Sequence, residues 1–182
     1  MSALSDYFLR TNRLGFRLWT EADEPLAFGL WGDPQVTRLL GGPFSEEQIR
    51  QRLAKHIAMA KEHGIQYWPI FLRATDEHVG CCGLQPYKPG IPELGYHLRR
   101  DFWGQGIAKE AATAVIEYGF ANLEIEAIFA GHYPENVSSR KVLLSLGFEY
   151  AGEQVYPPTG MLEPTYLLHR RIPRLSTQAA LG

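Results

Sequence analysis

Residues 99–108 read RRDFWGQGIA and stand directly before a long apolar-periodic run that ends at Phe120. Gly104 and Gly106 weaken any regular element, so they make a turn, or bare the backbone to a ligand, or both. A helix starting near Gln105 or Gly106 presents unsatisfied N–H donors and the positive end of its dipole. Without side chains on the glycines, a pyrophosphate can approach those donors, and Arg99 and Arg100 just upstream can add charge. The P-loop reading fails because no Lys-Ser/Thr pair follows the glycines. The dinucleotide fingerprint matches only in part, because the third glycine is missing and the turn comes late in the chain. On this stretch alone a strand-to-helix turn with no ligand stays open.

A second stretch, PENVSSRKVLLSLGFEY (134–150), has the same character. Asn136 stands where a helix N-cap belongs, with Ser138 and Ser139 in the first turn. Val142, Leu143 and Leu146 face inward, and Gly147 ends the helix before a strand. Read alone this is a well-capped core helix. Two helix N-termini, each following a strand, can also hold one long ligand between splayed strands.

The elements that must position these residues follow from periodicity. LGFRLWT (14–20) alternates as a strand and EADEPLAFGLWGD (21–33) suits a helix. SEEQIRQRLAKHIAMAKEHG (45–64) carries capping-box spacing at Ser45 and Gln48, a stripe of Ile49, Leu53, Ile57 and Ala60, and a stop at Gly64. QYWPIFLRA and HVGCCGLQPY read as a hairpin around Thr75, Asp76 and Glu77, and ELGYHLRR (93–100) as a further strand. After the helix beyond Gly106, whose Ala and Gly residues permit close packing on a sheet, come the strand EAIFAGHY (126–133), the short helix at 136–147 and a final pair of strands. The chain after Arg171 reads as a loose tail. The order predicts a mixed sheet covered by helices in one domain over residues 1–182.

Composition sets the limits. The 182 residues are 45% apolar and 21% charged, ordinary for a globular protein, and the net charge of −2 gives no global attraction to nucleic acid or membrane. The sequence has no apolar run long enough to cross a bilayer and no signal-peptide core at its start, which predicts a cytoplasmic protein. Cys81 and Cys82 are adjacent on a strand and point to opposite faces, so they read as structural thiols. Without an H-E-x-x-H, C-x-x-C or aspartate-rich loop, no metal is expected.

The pairing of FWGQGIAKEA with NVSSRKVLLSLGF resembles the GNAT acetyltransferase superfamily, and more narrowly its branch of ribosomal-protein N-terminal (alanine/serine) acetyltransferases. The opening TNRLGFRLWTEADEPLAF fits that branch as well, and the resemblance covers about residues 10–170. It implies an α/β (α+β) GNAT fold: a central mixed, mostly antiparallel sheet of about seven strands flanked by about four helices. It further implies that Trp103, Gly104, Gln105, Gly106, Ile107 and Ala108 bind the pyrophosphate of acetyl-CoA, with Trp103 in place of the common Arg or Gln. Leu98, Arg99 and Arg100 would pair with the pantetheine arm, Asn136 would hydrogen-bond it, and Ser139 or Arg140 would lie close by.

The reaction so implied is attack of a primary amine on the acetyl-CoA thioester in a ternary complex. The acceptor is a protein N-terminus, a polyamine, an amino acid or an antibiotic, and the protein a monomer or homodimer. Lysine amines titrate near 10.4 and α-amines at about 7.7–8.0, so a base matters more for the former. Glu93 is the first candidate for it; the competing reading is an edge-strand glutamate facing solvent. The tyrosine acid of many relatives falls at Leu143, so Ser139 is the candidate donor to the leaving sulfur, its other reading being an N-terminal cap. Tyr96 and Tyr133 are further hydroxyls, and His97 and His132 flank the region. Regions 24–45 and 150–165 shape the acceptor site. The alternative of another class is a non-catalytic acyl-CoA-binding sensor or partner module, kept open by Leu143.

Overall fold

The strand alternation and helix caps build a single eight-stranded sheet with helices on both faces. The structure is a computed structural model that describes residues 6–170. The strands are β1 (Leu9–Arg10), β2 (Leu14–Phe16), β3 (Tyr67–Leu72), β4 (Glu77–Lys88), β5 (Ile91–Leu98), β6 (Ala127–Gly131), β7 (Glu149–Tyr156) and β8 (Met161–His169). They lie in the order β1-β2-β3-β4-β5-β6-β8-β7, antiparallel throughout except for the parallel pair β5–β6.

Five α-helices complete the described residues: α1 (Glu24–Trp31), α2 (Pro34–Thr37), α3 (Glu46–His63), α4 (Ile107–Asn122) and α5 (Val137–Ser145). One strand and one helix exceed the expected number. β1 is too short for alternation to show, and α2 is a single turn begun by Pro34 and capped by Asp33 Oδ1 accepting from Gln35 N at 2.8 Å. The strand expected over 14–20 stops at Phe16, and the helix expected over 21–33 opens with a 3₁₀ turn, Glu21–Asp23. The tail predicted to be loose lies outside the described residues.

The long helix behaves as its caps dictate. Ser45 Oγ accepts from Gln48 N, Gln48 Oε1 accepts from Ser45 N, and Gly64 closes α3 in the left-handed region at φ 70°.

Cores form on both faces. Trp19, Trp31, Ile49, Leu53, Tyr67 and Cys81 pack under α1 and α3. Phe16, Trp68, Cys82, Leu84, Ile107 and Val115 pack under α4. The neighbours Tyr67/Trp68 and Cys81/Cys82 divide between the two, as period-two alternation requires. Both thiols are buried and free, and burial pushes Cys81 up to about 12. Buried Ala111, Ala112 and Gly119 let α4 lie close to the sheet; a Cβ on Gly119 would stand 3.0 Å from Leu84 Cδ1. No helix among the described residues is long and apolar enough to cross a membrane.

Candidate active site

The site begins where the one parallel pair comes apart. β5 and β6 meet at Glu93 and Phe129 and then diverge, β5 running on to Leu98 while β6 ends at Gly131. The wedge belongs to a cleft of about 690 Å³, with Gly95, Tyr96 and His97 on one wall and Ala130, Gly131 and His132 on the other. Glu93, Asn136 and Ser139 border the same space. Glu93 is therefore no edge-strand residue, because β5 is paired on both sides.

Burial raises the Glu93 carboxyl above the ordinary 4.5. Gln85 Nε2 donates to its Oε2 at 2.5 Å and Lys55 lies within Coulombic reach, and both oppose that rise. A carboxylate so placed is a stronger base near neutral pH than an exposed one.

Ser139 and Tyr96 bridge the wedge. Ser139 Oγ donates to Tyr96 Oη at 3.1 Å, and burial pushes the Tyr96 phenol up to about 12. Asn136 caps α5 by accepting from Ser139 N at 3.0 Å, which commits Asn136 Oδ1 to the helix. Leu143, buried in the core, also lines the cleft.

The glycine turn lies outside the cleft lining, beyond the end of β5. Gly104 and Gly106 have φ of 73° and 74°, and a Cβ on Gly104 would meet nothing within 4 Å. No side chain caps the start of α4. Gly104 is thus bare on its outer side and the start of α4 has no side-chain cap, as an anion site needs.

The neighbouring arginines are already paired. Arg99 Nη1 donates to the His78 carbonyl at 2.7 Å, and the side chain lies within 3.7 Å of Glu77 and 3.5 Å of Asp101. Arg100 Nε donates to Asp33 Oδ2 at 2.6 Å. Two of the backbone groups expected to meet pantetheine are engaged as well: Leu98 O accepts from Trp103 Nε1 and Arg99 N donates to Val79 O, both at 2.9 Å. Ile107 is buried in the core, Ala108 half-buried, and Arg140 exposed on α5.

Three features escape the sequence reading. Arg13 donates through Nη1 and Nη2 to Gln105 O at 3.1 Å and through Nε to Glu110 Oε2 at 2.6 Å, fastening the β1–β2 turn to the glycine turn. Glu163, on β8, stands in the cleft near Glu93. Gln48, Gln51, Arg52, Lys55 and His56 turn one polar face of α3 toward the same space. Only this last set had a signal, a polar stripe at helical spacing beside the apolar one.

Comparison with known proteins decides the class. Residues 13–149 match the family described as "Acetyltransferase (GNAT) domain". This chain belongs to the GNAT family. N-acetyltransferase p20 of Bacillus licheniformis is 35% identical over 148 residues, covering 79% of this chain and 83% of that protein. The [ribosomal protein uS5]-alanine N-acetyltransferase of Escherichia coli is 39% identical over 59 residues, 32% of this chain and 30% of that protein. A solved ribosomal L7/L12 alpha-N-protein acetyltransferase in complex with coenzyme A shares the GNAT fold at a TM-score of 0.76 and 19% identity, covering 87% of this chain and 95% of that one. As a GNAT protein the chain is an acetyl-CoA-dependent N-acetyltransferase, which places the enzyme reading ahead of the non-catalytic module.

Proposed function

We propose that acetyl transfer takes place in this cleft, by direct attack of a bound primary amine on acetyl-CoA in a ternary complex. The observation that carries the reading is the parting of β5 from β6, with Glu93 at its apex and Tyr96 and Ser139 across its opening. Acetyl-CoA supplies an acyl group already activated as a thioester, so positioning accounts for much of the rate. The features of the chain fit that donor: an open wedge between strands, a bare glycine turn, and an uncapped helix start. Trp103, Gly104, Gln105, Gly106, Ile107 and Ala108 would hold the pyrophosphate through backbone amides. Arg99 and Arg100 order the turn through their own carboxylate partners, and Asn136, with Oδ1 committed, has its amide nitrogen left for the donor's arm.

Glu93 takes the amine proton as nitrogen bonds to the carbonyl carbon and the carbon–sulfur bond breaks. Tyr96, at about 12, is a weaker acid than an ordinary thiol near about 8.5, so giving its proton to the thiolate runs uphill. The Tyr96–Ser139 pair therefore stabilises the departing thiolate by hydrogen bonding, and solvent supplies the proton. Ser139→Ala and Tyr96→Phe should each lower kcat about tenfold with acetyl-CoA affinity unchanged. Wild-type turnover in both variants would remove the pair from the mechanism.

Gly106→Ala separates the donor site from the fold. Its positive φ costs an alanine about 1 kcal/mol, yet the nearest foreign atom to the new Cβ is Arg13 Nη2 at 3.8 Å. The expected result is a small loss of stability with acetyl-CoA affinity down about tenfold, read by calorimetry. Unchanged affinity would place the pyrophosphate elsewhere.

The acceptor is a primary amine. A panel of peptide N-termini, polyamines, amino acids and aminoglycosides, scored by mass-spectrometric detection of the added acetyl group, tests the reading. Tight acetyl-CoA binding with no amine acetylated would overturn it in favour of an acyl-CoA sensor.

A further inference from the structure

The cleft carries charges that acetyl transfer itself does not use. Glu163 is buried, with Oε1 3.2 Å from Thr159 Oγ1, and its carboxyl is raised by burial and by the charge of Glu93. The two carboxylates thus sit within Coulombic reach of each other. On the α3 wall of the same cleft stand Arg52 and Lys55. Neither cation has a carboxylate within 4.0 Å among the described residues. Arg52 is held in place by rings, its guanidinium carbon 4.5 Å from the Phe44 centroid and 5.6 Å from that of Trp31. The charge of Lys55 is felt at Glu93 and that of Arg52 at Tyr156, so the cations act on the same interior space as the carboxylates.

A half-buried charge without a partner, as Arg52 is, is costly unless a ligand supplies the opposite sign, while Lys55 is exposed and adds its charge from the rim. Here both signs face one cleft, and the carboxylates are met by neutral donors, Gln85 and Thr159, with no cation within 4.0 Å among the described residues. A polyamine would satisfy the carboxylates and be repelled by Arg52 and Lys55. The loops at 39–41 and 157–158, which both line the cleft, also touch and narrow it on that side: a Cβ on Gly41 would stand 2.8 Å from Pro158 O. That contact favours a compact acceptor over a polypeptide tail, which needs an open exit.

We infer that the acceptor is a small amphoteric amine, an amino acid, whose amine lies at Glu93 and Glu163 and whose carboxylate meets Arg52 and Lys55. This rests on the catalytic reading of the cleft.

The test compares the proteinogenic L-amino acids with their carboxamides, which keep the amine and lose the negative charge. A polyamine and a short N-terminal peptide serve as further acceptors. Wild-type kcat/KM for the preferred amino acid should exceed that for its carboxamide by at least about tenfold, the usual worth of a charge-assisted hydrogen bond. Arg52→Gln and Lys55→Met should each cut that preference severalfold, and together bring it near one, with the KM for acetyl-CoA unchanged. Carboxamides, polyamine or peptide acetylated as well as free amino acids would overturn the inference. So would a preference that survives the double variant. The same panel is titrated by calorimetry with coenzyme A bound, so that acceptor preference is read even without turnover. Amino acids that bind selectively without being acetylated would sink the catalytic reading and keep the charge argument; binding without preference would sink the charge argument itself.

Discussion

Replacing Glu93 with glutamine should lower kcat/KM for the amine about 10²–10⁴-fold, the range a positioned general base contributes, while acetyl-CoA binds as before. Glutamine keeps the shape of the side chain and can still pair with Gln85, so the loss isolates proton removal from packing. The pH dependence follows from the same residue. The base works only when ionised, and its pKa is raised by burial, so activity falls as pH drops through a value above the ordinary 4.5. Lys55 lowers that value, and Lys55→Met should therefore move the acid limb to higher pH. Stability moves in the opposite sense to activity. A carboxyl with a raised folded pKa binds its proton more tightly in the native state, so the fold loses stability as pH rises from 4.5 through the folded value. Glu93→Gln removes that loss and should be at least as stable as wild type at pH 7. A folded variant that keeps its turnover would remove Glu93 from the role of base.

Acid should weaken this fold through its buried histidines. His56 and His78 are buried, each with one ring nitrogen lacking a hydrogen-bond partner: Nδ1 of His56 and Nε2 of His78. His56 stacks on Trp31 at 5.6 Å and faces the charges of Arg52 and Lys55; His78 lies among Trp19, Phe71, Arg99, Arg17 and Asp23. Desolvation lowers His56 to about 3 and His78 to about 4. Both stay neutral in the fold while the unfolded chain takes up a proton on each near 6.5. Their contribution is therefore complete above pH 6.5 and is lost as pH falls from there toward the folded values. His97, lowered by burial to about 3, adds a third, and three such protons set a limiting slope of about 4 kcal/mol per pH unit, or roughly 8 kcal/mol lost by pH 4.5, a large share of a typical domain's stability. Urea titrations from pH 7.5 to 4.5 should show it, and His78→Phe should remove about a third of the slope. A flat profile between pH 7 and 5 would mean that water or a neighbouring group already carries the missing hydrogen bonds.

The long elements and their ends were legible in the chain because local chemistry fixes them. Ser45, Gln48 and Gly64 bound α3, Asn136 and Gly147 bound the region of α5, and alternation placed Cys81 and Cys82 on opposite faces. The two glycines before α4 and the helix at Asn136 were enough, through resemblance, for the GNAT fold. β1 and α2 were missed because two residues of strand and four of helix fall below any periodic signal.

Partnership belonged to the tertiary structure. Glu93 could be an edge-strand residue until β6 paired beside it, and that pairing depends on a strand more than thirty residues away. Arg99 and Arg100 have only Asp101 near them in RRDFWGQGIA until the fold brings Glu77 to Arg99 and Asp33 to Arg100. Arg52, Lys55 and Glu163 carry no local pattern that joins them, and only the folding of α3 and β8 around one cleft sets their charges in a common space. Helix caps and alternation are decided within a few residues, and so by sequence. Which charges are buried together is decided by contacts across the chain, and so only by the fold.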